Sequence, residues 1–89
     1  MQSLEVKCIN KTPRQNAHEG IVAIGGDGWK YSRAEAVRLI NAGTCAFFTF
    51  VDGQQVWVRV IIGPSEPYLR TYADGVPTDN LLALPECRP

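Results

Sequence analysis

His18 and Glu19 stand side by side, and a histidine next to a carboxylate can serve as a general base. On an extended backbone, however, adjacent side chains point to opposite sides. No nucleophile is placed beside them by the sequence, so a boundary histidine making a structural hydrogen bond is the expectation. A small enzyme built on His18 is the third functional alternative. Gly25-Gly26-Asp27-Gly28 precedes a helical segment, where glycines can cradle phosphate. The dinucleotide pattern G-x-G-x-x-G fails, because from Gly26 its third glycine position holds Tyr31. No Lys-Ser/Thr pair of a P-loop follows. A tight turn is expected instead.

The three cysteines, Cys8, Cys45 and Cys87, are widely spaced, with no C-x-x-C and with His18 as the single histidine. Zinc sites draw four close ligands from paired clusters, so neither a metal nor any other cofactor is expected. Cys8 and Cys87 belong to terminal segments that can lie side by side. A reactive thiol needs a neighbour that lowers its pKa, and on a strand Lys7 points away from Cys8. The expectation is three reduced thiols acting as small apolar groups. Asp27, Asp52, Asp74 and Asp79 fall at turns and caps, where aspartate bonds its own backbone.

The remaining chemistry lies in the aromatic hairpin of residues 45–62, around Val51-Asp52-Gly53. A two-residue Asp-Gly loop sets Phe48 opposite Trp57 and leaves both faces largely apolar. A three-residue loop with Gly53 in a bulge sets Phe48 opposite Val56. It gathers Ala46, Phe48, Phe50, Val56, Val58 and Val60 on one face. Cys45, Phe47, Thr49, Gln55, Trp57 and Arg59 share the other. Because a one-residue slip reverses every side chain, the cleaner segregation favours the three-residue loop. Phe47, Thr49, Trp57 and Arg59 then form a candidate interaction face of aromatics and arginine, a composition suited to protein interfaces and to stacking on single-stranded nucleic acid. If a helix covers this face, the same aromatics are core.

These groups must be positioned by few elements, since 89 residues make one small domain. Residues 3–9 alternate as a half-buried strand, with Leu4, Val6 and Cys8 on one side. Residues 10–19 read as a loop and residues 20–25 as a second strand. Ser32 and Glu35 form a capping box, and Gly43 suits a left-handed C-terminal cap, which predicts a helix over about 33–42. Tyr68–Ala73 reads as a further strand, and Leu81–Leu84 as one helical turn halted by Pro85. The fold class is α+β: a small antiparallel-dominated sheet in the order ββαβββ, one helix packed on it and a C-terminal turn.

Several segments together resemble a widespread bacterial family of small proteins known only as a domain of unknown function. They are Cys8-Ile9-x-Lys11, His18-Glu19 before Ile21 with Gly25-Gly26, Ile40-x-x-Gly43, Tyr68-Leu69-Arg70-Thr71 with Asp74, and the closing Asn80-Leu81-Leu82-x-Leu84-Pro85-x-Cys87. The resemblance spans nearly the whole chain and implies a compact bacterial domain that often stands alone. It carries no activity, substrate or catalytic residue.

Nine basic and nine acidic side chains cancel, without the basic surplus usual in nucleic-acid binders. No apolar run is long enough to span a membrane, and residues 1–7 lack a signal-peptide core, so the expected location is the cytoplasm. The function expected is a non-catalytic binding or assembly module, with a protein partner or a second copy on the Phe47/Thr49/Trp57/Arg59 face. Nucleic-acid binding through Arg59, Arg70, Lys7 or Lys11 is the alternative.

Overall fold

A computed structural model describes residues 2–11, 20–63, 66–73 and 75–87. His18, Glu19 and Asp74 lie outside the described residues. The architecture is α+β with two sheets. β1 (Gln2–Glu5), β5 (Cys45–Val51), β6 (Gln54–Ile61), β7 (Tyr68–Ala73) and β8 (Val76–Thr78) form a five-stranded sheet in the order β1-β5-β6-β7-β8. β2 (Cys8–Lys11), β3 (Ile21–Gly26) and β4 (Trp29–Ser32) form a smaller sheet in the order β2-β3-β4. All ladders are antiparallel except that of β1 with β5.

The expected first strand is two strands. Its alternation holds only to Val6: Val6 and Ile9 are buried while Cys8 falls on the opposite face from Ile9, because the backbone changes partner at Val6 and Lys7. The Val6 amide donates to the Phe48 carbonyl in the large sheet, and the Lys7 amide donates to Gly25 in the small one. One continuous segment thereby stitches the two sheets together. β4 and β8 were not expected. Trp29-Lys30-Tyr31-Ser32 alternates over only four residues between a turn glycine and a helix cap. Val76-Pro77-Thr78 contains a proline, which a strand tolerates at a sheet edge, and β8 is such an edge.

The glycine run is the β3–β4 turn, with Gly26 paired to Trp29 and Gly28 at φ +77°. Gly26 has a second role. A Cβ there would sit against the Glu5 carbonyl oxygen and within 2.5 Å of Trp29 Nε1. The missing side chain lets the indole lie on the strand.

The helix α1 (Arg33–Asn41) begins and ends where local chemistry directs. Ser32 Oγ accepts from the Glu35 amide at 3.2 Å, and the Glu35 carboxylate accepts from the Ser32 amide at 3.1 Å. At the far end Gly43 takes φ +71°. Its amide bonds Ile40 O and the Thr44 amide bonds Leu39 O, the paired bonds of a Schellman cap.

Phe47, Ile21, Ile24, Leu69, Leu81 and Val6 are the largest fully buried apolar side chains. Trp29 and Tyr31 of the small sheet reach Phe47 of the large one, with ring centroids 5.4 and 6.1 Å apart. Ala36 is buried in the same cluster, with Val37, Leu39 and Ile40 packed against it. The C-terminal segment closes the core with Leu81, the first residue of a short 3-10 turn, Leu81–Ala83.

The thiol expectation is corrected for two of the three cysteines. Cys8 and Cys87 form a disulfide across 79 residues of sequence, while Cys45 is free and buried. The pairing is non-local: it depends on the C-terminal segment returning to β2, where Ile9 bridges Glu86 in parallel.

Candidate interaction face

The hairpin register decides the site, and it differs from the expectation. Asp52 takes φ 53° and Gly53 φ 77°. Left-handed backbone at both loop residues makes a two-residue type I′ turn, whose twist matches that of the flanking strands. The ladder is Val51–Gln54, Phe50–Gln55, Thr49–Val56 and Phe48–Trp57. Asp-Gly turn chemistry therefore prevails over apolar segregation. Segregation was a poor guide because the outer face of this sheet keeps aromatic side chains.

The four residues expected on one face are divided by this register. Phe47 and Thr49 point inward and are completely buried. Phe47 belongs to the aromatic cluster with Trp29 and Tyr31, and Thr49 Oγ1 accepts from Asn80 Nδ2 at 3.4 Å. Trp57 and Arg59 point outward. They are joined there by residues that the other register had placed inside.

One row of side chains crosses four strands on that outer face: Phe48, Trp57, Tyr72 and Pro77, each directly opposite the next. The Phe48 and Trp57 rings meet edge to face, with centroids 5.5 Å apart. Trp57 is 40% exposed and Phe50, on the same face, 56%. The next row sets Arg59 opposite Arg70. Arg70 is held, its Nε donating to Thr78 O at 3.2 Å and its Nη2 pairing with Asp79 Oδ1 at 3.0 Å. Among the described residues the Arg59 side chain has neither an ion pair nor a hydrogen bond. Like charges directly opposite repel, and here the Asp79 carboxylate on Arg70 already offsets that repulsion.

The surface around Trp57 is concave on both sides. The β5–β6 ladder runs only as far as Phe48–Trp57. Beyond it, Gln2–Glu5 of β1 pair with Cys45–Phe48, and Trp57–Ile61 pair with β7. A hollow of about 500 Å³ opens at the divergence, between Ile40 and Asn41 of the helix end and Ala46, Trp57 and Arg59. A second of about 440 Å³ lies on the other flank of Trp57, against Gln55, Tyr72 and Ala73. The indole is thus a ridge between two depressions, with a cation at the rim of one.

This arrangement can stack a planar or apolar group, bind a carboxylate at Arg59 and accept or donate through Gln55. The perturbed ionisable groups lie elsewhere. Lys7 is raised by its hydrogen bond and charge interaction with Asp27, at 2.6 Å. Glu35 is lowered by the Ser32 backbone N–H that caps the helix. Both serve structure. His18 and Glu19 lie outside the described residues.

Phe48, Phe50 and Tyr72 were missed as members of the face. The Asp52-Gly53 pair carried the signal for them, since a two-residue loop there sends Phe48, Phe50 and Trp57 to one side. No helix of the described residues is long and apolar enough to cross a membrane.

No curated protein and no solved structure matches the chain. A family model, described as a protein of unknown function (DUF3892), matches residues 5–85. The match includes the small sheet, the helix, β5 to β8 and the aromatic face, and of β1 it includes Glu5; the chain belongs to that family of unknown function.

Proposed function

We propose that this chain is a non-catalytic binding module whose outer sheet face holds a partner protein through an apolar side chain packed beside Trp57 and a carboxylate on Arg59. The observation that carries the proposal is the combination at Trp57. A large aromatic stands 40% exposed between two hollows. Beside it is Arg59, which has no ion pair among the described residues. Trp and Arg are enriched among the residues that dominate binding energy at interfaces. A small domain gains no stability from leaving such a ring wet.

The chemistry favours an acidic protein segment over nucleic acid. Arg70 is neutralised by Asp79 and Lys7 by Asp27, and the chain has no net charge. Phosphate tracking needs several free cations on one surface. The setting we propose is the bacterial cytoplasm, where reductants would act on the Cys8–Cys87 pair.

Peptide-display selection on the folded protein tests the reading. Enriched sequences should combine Asp or Glu with a nearby apolar residue. Binding should vanish with Trp57→Ala and invert its charge preference with Arg59→Glu. Selection of the same peptides by both variants contradicts it. Salt-sensitive binding of single-stranded oligonucleotides that depends on Arg59 would favour nucleic acid instead, and concentration-dependent self-association lost in Trp57→Ala would make the partner a second copy.

A further inference from the structure

We propose that the Cys8–Cys87 disulfide is a redox-operated latch. Closed, it holds residues 85–87 along the edge of β2. Opened by a dithiol reductant, it frees that segment and leaves the rest of the fold in place.

The placement of the sulfurs supports this. Cys8 is paired with Gly25, one residue out of phase with the buried Ile9–Ile24 pair. Alternation therefore sets the disulfide on the face of the small sheet turned away from the core. β3 contributes no side chain over it: a Cβ on Gly25 would come within 3.0 Å of Cys8 Sγ and 3.1 Å of Cys87 Sγ. Cys8 is half-buried and Cys87 is buried, so Cys8 Sγ is the more accessible sulfur. Neither cysteine belongs to the buried cluster of Phe47, Leu69 and Leu81.

The C-terminal segment is held unequally along its length. At its start Leu81 is fully buried, and Asn80 reaches Thr49. At its end the backbone bonds that hold it to β2 both involve Ile9. The Ile9 amide donates to Pro85 O at 3.0 Å, and the Cys87 amide donates to Ile9 O at 3.0 Å. Asn10 Nδ2 adds a long bond of 3.3 Å to Cys87 O. In this closed state Asn10 Oδ1 is buried with no partner among the described residues. A buried acceptor left unmet is unfavourable, and opening returns it to water. The disulfide thus restrains an end that meets β2 through Ile9 and Asn10 and carries an unmet polar atom. The start of the segment is anchored independently.

In the opening reaction, a thiolate of the reductant attacks one sulfur of the Cys8–Cys87 bond and displaces the other as a thiolate. The second thiol of the reductant then resolves the mixed disulfide. Two electrons and two protons pass to the protein, giving two cysteine thiols and the cyclic disulfide of the reductant. The opened β2 edge presents the Ile9 N–H and C=O, the groups through which an exposed strand edge recruits another chain.

The test is the ¹H–¹⁵N spectrum of the native protein before and after dithiothreitol, with Cys8→Ser/Cys87→Ser as the permanently open form. The expected result is that Glu86 and Cys87 amides move to random-coil positions and Ile9 to Lys11 shift. Residues of β5, β6 and β7 keep their native shifts, the double variant matches the reduced protein, and oxidation restores the original spectrum. Unmoved resonances at Ile9 and Cys87 after confirmed reduction would overturn the latch. So would loss of native shifts throughout β5–β7, or a disulfide that yields only after denaturation.

Discussion

Replacing Phe47 and Phe50 separately by alanine asks the hairpin which of its faces is core. The two phenylalanines lie on one strand three residues apart, so their side chains point to opposite sides. Phe47 is completely buried against Trp29 and Tyr31, whereas Phe50 is 56% exposed. Truncating a buried phenylalanine removes its transfer free energy and leaves a cavity, together about 3–5 kcal/mol. At roughly 4–8 °C per kcal/mol for a domain of this size, Phe47→Ala should lower Tm by tens of degrees. That loss is a large part of the roughly 4–13 kcal/mol available to a chain of 89 residues. Phe50→Ala gives up only partial burial and should cost at most about 1 kcal/mol. Urea denaturation followed by circular dichroism measures both, compared by midpoint at constant m. Equal penalties for the two variants, or a larger one for Phe50→Ala, would refute the two-residue turn and the division of the faces derived from it.

Other outcomes follow from the same structure. Gly26→Ala should destabilise by more than Gly28→Ala. At Gly26 the methyl meets the Glu5 carbonyl and Trp29 Nε1, whereas Gly28 faces open space and loses only its left-handed preference, a cost of about 1 kcal/mol; thermal melts of the pair rank them. Ser32→Ala should cost about 1 kcal/mol through loss of the helix cap, and NMR titration should show the Glu35 pKa rising only part of the way towards its ordinary value, because the hydroxyl bond is lost while the backbone amide at position 32 still donates. In the wild type that pKa is lowered on folding by the Ser32 amide. The Glu35 contribution to stability is therefore present above the ordinary glutamate pKa and lost as pH falls through the folded one. Cys8→Ser/Cys87→Ser should lower global stability by about 2–4 kcal/mol, because the bond closes a long loop in the unfolded chain. Calorimetry under oxidising conditions checks this.

Where structure follows from adjacent residues, it was legible in the sequence. Ser32, Glu35 and Gly43 set both ends of the helix, which was expected within one residue of its observed limit. Tyr68–Ala73 was expected as it stands. Where structure depends on distant partners, the sequence was a weaker guide. The alternation of Leu4, Val6 and Cys8 identified an extended segment, but not its change of sheet at Val6 and Lys7, which depends on Phe48 and Gly25. Cys8 and Cys87 meet only because Leu81 enters the core and turns the last residues back along β2. The four residues grouped as one candidate face are divided in the structure. Trp57 and Arg59 point outward and Phe47 and Thr49 inward. Phe47 and Thr49 were set beside them because apolar patterning was weighed above the turn preference of Asp52-Gly53.

The most direct test of the proposed binding face is a ¹H–¹⁵N titration of the protein with a display-selected acidic, apolar peptide. The Trp57 indole N–H should shift most, together with amides of Phe48, Phe50, Gln55, Arg59 and Tyr72. The amides of Val22, Ala34 and Val37 around the helix start should stay still, although these residues line a hollow of about 440 Å³. Shifts centred on that hollow, with the Trp57 indole unmoved, would contradict the assignment of the outer sheet face as the binding surface.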